Sequence, residues 1–183
     1  MAIERNRLLE ILRDSYSAYY NVIENNLPKK YPMAFRADYF KRGEGYFLSK
    51  KVTIYANEEN EYAYVYSSSV LDLDTLKACL DFSLKDALPR VKPHKEHQCT
   101  NVKVVFVADE YGEGALEEIQ NRKFQKSYHL SLWGYSTLLA AAVVTGTEEV
   151  FTNKAGQGER KYFSKLFAAE KKNQERLLAV DRK

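Results

Sequence analysis

The segment NVKVVFVADE, at residues 101–110, limits the possible folds more than any other part of the chain. Six of the seven positions 102–108 are apolar, and they lie on both faces of the strand they predict, not on alternate positions only. A strand of this kind is buried on both sides. We therefore expect it to lie in the centre of a sheet that is covered by helices.

Helices are predicted before and after this strand by apolar residues at helical spacing. The first lies in ERNRLLEILRDSYSAYYNVIENNL and is expected to end before Pro28. Its apolar stripe consists of Leu9, Leu12, Tyr16, Tyr19 and Ile23. The second lies in SSSVLDLDTLKACLDFSLKDALPR, with Ser69, Asp72 or Asp74 as the capping residue. A short acidic helix in YGEGALEEIQNR and a long final helix after KAGQG complete the set.

Strands are predicted in two groups of three around the central one. The first group lies in AFRADYFKRGEGYFLSKKVTIYANEENEYAYVYSSS, with turns at GEG (43–45) and NEEN (57–60). The second consists of the alternating segment KFQKSYHLSLWGY and a hairpin about Gly146. The element order is therefore α-βββ-α-β-α-βββ-α. It predicts an α+β (mixed α/β) fold with a mixed or antiparallel sheet of about six to seven strands.

We assign residues 1–167 to one domain and residues 168–183 to the charged end of the last helix, which is expected to fray. No apolar run approaches the ~18 residues of a membrane span, and the opening MAIERNRLLEILRD lacks the apolar core of a secretion signal. The two cysteines do not make a disulfide framework. We expect a cytoplasmic protein without membrane contact. No phosphate-binding motif is present, so no cofactor is predicted.

The segment HKEHQC, at residues 94–99, is the strongest candidate for a metal site. His94, His97 and Cys99 offer three donors of the kind that zinc prefers, and Cys79 or His129 could be the fourth. The second closely spaced pair of ligands that a zinc site usually has is missing. A polar loop with two solvated histidines is the alternative interpretation.

A second candidate is the polar face of the segment KFQKSYHLSLWGY, which carries His129 between serines and ends at Trp133. A histidine beside a hydroxyl is typical of nucleophilic catalysis, and Asp109 or Glu110 after the central strand could orient the ring. Neighbouring side chains on one strand face rarely align for such a reaction. A half-covered sheet face with a hydrogen-bonded histidine is the alternative.

The acidic residues after the central strand are a third candidate, because carboxylates at a strand end can bind Mg²⁺. The arrangement resembles that of metal-dependent nucleases, although the E-x-K or D-x-K triplet that such enzymes need is missing from the middle strands. An acidic first helical turn that the helix dipole stabilises explains much of the same cluster.

Positive and polar residues form two further candidates. The last helix is basic, yet Glu159, Glu170 and Glu175 interrupt its lysines and arginines, so nucleic-acid binding is not expected. Polar residues at strand ends could instead line a shared cleft or be ordinary turn residues. This candidate cleft comprises Lys50, Lys51, Asp109, Glu110, His129, Trp133, Asn153 and Lys154.

The segments YFLSKKVTIYANEENEYAYV and EEVFTNKAG resemble an uncharacterised bacterial family, a domain of unknown function. The likeness extends from the first helix to about Phe167 and includes the V-V-F-V and K-F-x-K-S-Y strands. It implies a small free-standing domain in the bacterial cytoplasm. It implies no activity, cofactor or site residue.

Two functions of different classes follow from these observations. The first is a non-enzymatic protein-interaction or self-associating module, which the apolar helix stripes and the 14 tyrosines favour. It predicts a homo-oligomer or a protein partner. The second is a small metal-dependent enzyme, hydrolase or nuclease-like, that uses the 94–99 loop with His129, or the Asp109 and Glu110 strand end.

Overall fold

Four helices and seven strands make up the part of the chain that the structure describes. The structure is a computed structural model, which describes the backbone over residues 3–47 and 49–180 and the side chains over residues 3–43 and 57–177. The elements are α1 (Arg5–Ser17), β1 (Asn21–Ile23), β2 (Met33–Phe47), β3 (Ser49–Leu71), α2 (Leu73–Ala87), β4 (His97–Tyr111), α3 (Ala115–Asn121), β5 (Gln125–Ser127), β6 (Tyr135–Val144), β7 (Glu149–Thr152) and α4 (Gln157–Val180). Their order confirms the predicted α+β arrangement.

The strands form one mixed sheet in the order β1-β2-β3-β4-β6-β5, and β7 also pairs with β6. Strand β4 lies in the middle and runs parallel to both β3 and β6. The pairs β1–β2, β2–β3, β5–β6 and β6–β7 are antiparallel. The central position predicted for the apolar segment 102–108 is confirmed.

Strand β4 carries apolar side chains on both faces because helices cover both sides of the sheet. Val104 and Phe106 pack in one core with residues of α2 and α3. Val105 and Val107 pack in a second core with residues of α1 and α4. The chain connects the parallel strands β3 and β4 through α2, and the parallel strands β4 and β6 through α3. Both helices pack on the same face of the sheet as Val104 and Phe106.

Helix α2 begins where its capping residue predicts. The Asp72 side chain accepts hydrogen bonds from the Thr75 amide at 2.8 Å and from the Thr75 hydroxyl at 2.7 Å. These bonds satisfy a free N–H group at the helix start and lower the pKa of the Asp72 carboxyl. Leu76 and Leu80, four residues apart on this helix, are fully buried.

The predicted extension of the first helix to Ile23 is wrong. Helix α1 ends at Ser17, and residues 21–23 form β1, which pairs with residues 36–38 of β2. Val22 and Ile23 are β-branched and prefer strands. The apolar residues that we assigned to one helix stripe therefore lie partly in α1 and partly beyond its end. Tyr19, which follows the helix, is 79% exposed.

The two turns predicted at GEG and NEEN are also wrong, because both segments lie inside long strands. Gly43 pairs with Asn57, and Asn60 pairs with both Phe40 of β2 and Thr100 of β4. Side-chain partners accommodate the polar run within the sheet: Glu58 contacts Arg42 at 3.1 Å and His94 at 2.8 Å. Turn residues predict a turn only where no neighbouring strand offers such partners.

The last helix continues past Phe167 and packs on its own domain. Arg7 of α1 donates to Glu170 at 3.0 Å, and Lys171 lies 2.6 Å from Glu148. Helix α4 is described to Val180, and the fraying predicted for residues 168–183 stays a prediction.

Among the described residues, the helices are too short or too polar to cross a membrane.

Candidate functional site

The segment between β5 and β6, which we call the 128–134 loop, has an unusual backbone. His129, Leu130 and Ser131 have φ angles of 46°, 54° and 69°, and Gly134 follows at 74°. A left-handed conformation costs a residue with a side chain about 1–2 kcal/mol. Three such residues in succession therefore require compensation from their surroundings, and segments of this kind are concentrated at functional sites.

The long strand that we predicted across this segment is wrong beyond Ser127. The left-handed residues turn the chain back, so that the Tyr128 amide donates to the Gly134 oxygen at 3.0 Å. The Trp133 amide also donates to the Tyr128 oxygen at 3.2 Å. The rings of His129 and Trp133 stack with their centroids 4.7 Å apart. Hydrogen bonds within the loop thus replace the strand pairing that the alternation predicted.

A buried histidine from the start of β4 fixes the loop from below. His97 is 3% exposed, and its Nδ1 atom lies 2.7 Å from the Trp133 oxygen. Because a carbonyl oxygen only accepts, Nδ1 is the donor in this bond. The Nε2 atom lies 2.9 Å from the Thr100 hydroxyl, and the ring meets the Tyr128 ring edge to face at 5.8 Å. Both ring nitrogens of His97 are therefore occupied within the protein.

Gly134 permits a very close approach between the loop and β4. A Cβ atom at this position would lie 2.3 Å from the Gln98 oxygen and 2.5 Å from the His97 oxygen. The Tyr128 hydroxyl also lies 2.8 Å from the Ser136 hydroxyl. The base of the loop is thus tightly packed against the sheet.

The tip of the loop presents apolar side chains to solvent. Leu130 is 95% exposed and Leu132 is 70% exposed. The segment from Tyr128 to Gly134 contains no Asp, Glu, Lys or Arg. The loop therefore exposes two leucines above a base that hydrogen bonds and close packing hold against the sheet.

The other members of the HKEHQC segment do not converge with His97. The Nε2 atom of His94 lies 2.8 Å from Glu58 Oε2, and the two histidine rings are 6.5 Å apart. Burial, followed by the charges of Glu59 and Glu61, raises the pKa of the Cys99 thiol. Among the described residues, no group of three His, Cys, Asp or Glu side chains could hold a metal ion. The metal site stays a prediction without such a cluster to support it.

Cys79, the proposed fourth ligand, is fully buried in α2, where burial raises the pKa of its thiol to about 12. His129 is exposed in the 128–134 loop. The structure therefore does not bring Cys79, His129 and the 94–99 segment together around one point.

The acidic strand end lies far from the 128–134 loop. Asp109 accepts from the Arg5 guanidinium at 3.1 Å and from the Thr145 hydroxyl at 2.7 Å. Glu110 is exposed beside it. The loop contacts β4 at Gln98, and Asp109 lies about 35 Å further along that strand at ~3.3 Å per residue. The structure does not place Asp109 or Glu110 where either could orient His129.

Asn153 has a structural position that its turn context did not reveal. It is 2% exposed and lies beside β6 in the gap between β5 and β7. Its Oδ1 atom accepts from the amides of Ala140 at 3.1 Å and Gly156 at 2.8 Å. Its Nδ2 atom donates to the oxygens of Leu138 at 2.9 Å and Arg122 at 3.1 Å. All of its hydrogen-bonding capacity is used within the protein.

Lys154 is exposed at the rim of a cavity of about 530 Å³, which Arg122 and Lys123 also line. Trp133 is half-buried within the 128–134 loop. The side chains of Lys50 and Lys51 lie outside the described residues. The described members of the predicted polar cleft thus lie in several separate places.

Sequence reasoning missed a buried charged cluster on β4. Lys103 lies 2.8 Å from Glu61 of β3 and 3.1 Å from Glu159 of α4. Burial acts to lower the pKa of Lys103, but the two carboxylates outweigh it and the pKa lies above its ordinary value. A lysine inside a predicted apolar strand was the available signal, because a buried lysine requires partners.

The family of the chain follows from comparison with known proteins. Residues 4–165 match the model of a family described as a domain of unknown function, DUF8052. The chain belongs to the DUF8052 family. The resemblance to an uncharacterised family is thereby confirmed. Comparison of this DUF8052 domain with curated proteins and with solved structures finds no match.

Proposed function

We propose that this DUF8052 domain is a non-enzymatic protein-interaction module and that the tip of the 128–134 loop is its contact surface. The observation that carries the proposal is the exposure of Leu130 and Leu132, at 95% and 70%, on a loop with a fixed base. Burying each leucine against a partner contributes about 1.5–3 kcal/mol. Because His97 and Gly134 already order the base, little further conformational entropy is lost on binding.

The partner that suits this surface is a protein with an apolar pocket. The loop is uncharged between Tyr128 and Gly134, so its contact is apolar rather than ionic. A two-fold contact between two copies of one short loop would fall well below the ~800 Å² per partner of a stable interface. A protruding pair of leucines instead suits a concave site, in which a small area is fully desolvated.

The state of the candidate catalytic groups supports a binding function. Both nitrogens of His97 have partners within the protein, and so have both oxygens of Asp109. The thiols of Cys79 and Cys99 have raised pKa values, which disfavours the thiolate that a nucleophile or a zinc ligand needs. The metal-dependent enzyme stays a prediction.

A bacterial cytoplasmic setting is part of the proposal. Cys79 and Cys99 are unpaired, which suits a reducing compartment. The resemblance of the sequence to an uncharacterised bacterial family implies the same setting.

The experiment compares capture of partner proteins by matched variants. The double variant Leu130→Ser, Leu132→Ser removes the apolar tip and leaves the base of the loop intact. The control is Leu177→Ser on α4, which removes another exposed leucine, 67% accessible to solvent, from a different surface. Each protein is immobilised on beads at equal density and incubated with an extract of the source organism. The captured proteins are quantified by mass spectrometry.

We expect at least one protein that wild type and Leu177→Ser capture equally and that the double variant loses by about tenfold or more, the equivalent of 1.4 kcal/mol. Identical capture by all three proteins, or no capture by any, would contradict the proposal. If the lost species is the chain itself, with a matching loss of dimer in light scattering, the partner is a second copy.

A further inference from the structure

The charged cluster around Lys103 lies at the bottom of a cavity and is not enclosed by the hydrophobic core on every side. The cavity encloses about 300 Å³ and is lined by Ser15, Tyr16, Tyr19, Tyr20, Lys103, Glu159 and Tyr162. It opens between α1 and α4, on the face of the sheet opposite to α2 and α3. Its volume is at the lower end of the range for small-molecule sites.

Lys103 and Glu159 line this cavity and Glu61 contacts Lys103, and the charges of the three groups do not cancel. Glu61, Lys103 and Glu159 are 12%, 13% and 13% exposed, so all three are largely desolvated. One ammonium group faces two carboxylates, which leaves one negative charge. Charges buried in this way are normally paired in full, because an unpaired buried charge is strongly unfavourable. The excess negative charge therefore favours a further cation in the cavity.

Tyr16 supplies a second, independent observation. It is 6% exposed and lines the cavity, yet its hydroxyl has no hydrogen-bond partner among the described residues. The neighbouring hydroxyls do have partners: Tyr20 donates to Glu61 at 2.7 Å and Tyr162 donates to Ser15 at 3.0 Å. The Tyr16 hydroxyl is accessible from the cavity, so it can form a hydrogen bond with a polar group bound there.

The walls of the cavity are aromatic. Four tyrosines line it, and the rings of Tyr16 and Tyr20 meet edge to face at 4.8 Å. Tyrosine faces attract cations, and the attraction is stronger where the ring and the cation are desolvated. Burial, with the charges of Glu61 and Glu159, raises the pKa of Tyr16, so its hydroxyl keeps its proton over the physiological range.

We propose that this cavity binds a small organic cation with an ammonium group. Glu159 and the Tyr16 hydroxyl receive the ammonium, and the tyrosine rings contact the alkyl part. An anion would be repelled by the net negative charge. A bare metal ion lacks ligands, since the described residues gather no third carboxylate, histidine or cysteine at this place.

The experiment titrates the wild-type protein with n-pentylammonium and follows backbone amide shifts by NMR. Pentanoate and 1-pentanol are controls of similar size with negative and zero charge. We expect saturable shifts for pentylammonium that are concentrated around Ser15, Lys103 and Glu159, with a Kd in the millimolar range. We expect pentanol to bind at least about fivefold more weakly and pentanoate to produce no saturable shift at these positions.

Two variants locate the binding atoms. Tyr16→Phe removes only the unpaired hydroxyl, and Glu159→Gln removes one carboxylate charge while the contact between Lys103 and Glu61 remains. We expect Kd to rise about 3- to 10-fold in each variant, which corresponds to one hydrogen bond. Tyr135→Phe and Glu110→Gln, at exposed positions outside the cavity, are the matched controls and should keep the wild-type Kd.

Equal binding of pentylammonium and pentanoate, or shifts that lie outside the cavity, would overturn the proposal. So would an unchanged Kd in folded Tyr16→Phe and Glu159→Gln. The comparison of the three probes uses only wild-type protein, so it decides the question even if a variant fails to fold. The result is also independent of partner capture by the 128–134 loop, because the two sites share no residue.

Discussion

The Nδ1 atom of His97 lies 2.7 Å from the main-chain oxygen of Trp133, across 36 residues of sequence. This bond joins the first residue of the central strand to a loop whose backbone is strained at three successive positions. In the segment HKEHQC, which suggested a metal site, His97 instead forms hydrogen bonds within the protein. His97 orders a loop that exposes Leu130 and Leu132.

Replacement of His97 by alanine should loosen the 128–134 loop. The Trp133 oxygen and the Thr100 hydroxyl would lose a buried partner, so we expect the free energy of unfolding to fall by about 1–3 kcal/mol. Amide hydrogen exchange at Tyr128 and Trp133 should accelerate by a larger factor than exchange in α2. Urea unfolding and exchange by NMR measure the two effects.

His94→Ala is the matched control for this prediction. The His94 side chain is 44% exposed, and its partner Glu58 also contacts Arg42 at 3.1 Å. We expect a change below about 0.5 kcal/mol and no effect on loop exchange. A loop that exchanges at the wild-type rate in His97→Ala would contradict the role that we assign to His97.

Gly134 and Gly146 should respond oppositely to alanine. At Gly134 the new Cβ atom would lie 2.3 Å from a backbone oxygen, on a residue with a φ of 74°. Strain and overlap together should cost about 2–5 kcal/mol. At Gly146 nothing lies within 4 Å of the new atom and no positive φ is present, so we expect a change between zero and about 1 kcal/mol of stabilisation. Thermal unfolding of both variants measures the contrast, and equal melting temperatures would contradict it.

Asn153→Ala should destabilise the protein strongly although it removes little volume. Four main-chain groups would lose their partner, and three of these bonds, including those to the Ala140 amide and the Leu138 oxygen, are buried. We expect a loss of about 3 kcal/mol or more in the free energy of unfolding. Asn173→Ala on the exposed side of α4 is the control and should stay within about 0.5 kcal/mol of wild type. Comparable urea midpoints for the two variants would show that Asn153 is an ordinary turn residue.

The stability of the protein should fall at alkaline pH partly because of Lys103. Its pKa is higher in the folded protein than its ordinary value of 10.5. The ion pairs therefore stabilise the fold in full below that value, and this contribution is lost as pH rises through the higher folded pKa. Burial and the Glu61 carboxylate raise the pKa of Tyr20, which acts in the same direction.

Lys103→Met isolates the lysine contribution. At neutral pH the variant should lose about 3–5 kcal/mol, because Glu61 and Glu159 would remain buried without a counter-charge. Above about pH 10 its stability should fall less steeply than that of wild type. Lys172→Met, at an exposed position, should follow the wild-type curve. Parallel curves for wild type and Lys103→Met between pH 8 and 11 would mean that Lys103 titrates as it does in the unfolded chain.

Local patterns in the sequence determined the fold class, the places of the four α-helices and the middle of the sheet. The apolar residues between 102 and 108 required burial on both faces, and Asp72 was one of three capping residues proposed for the start of α2. The hairpin about Gly146 was equally predictable, since β6 ends at Val144 and β7 begins at Glu149. Periodicity, capping and turn chemistry act within a few residues, so the sequence contains them directly.

Only the tertiary structure decided which distant residues meet. The polar run NEEN lies inside a strand because its neighbours β2 and β4 provide partners on both sides. Glu61 and Glu159 reach Lys103 from β3 and α4, and Trp133 reaches His97 from a loop that alternation alone identified as a strand. These contacts depend on sheet order, register and helix docking. Contacts between separate segments produce no periodic pattern within either segment, so they cannot be read from one segment alone.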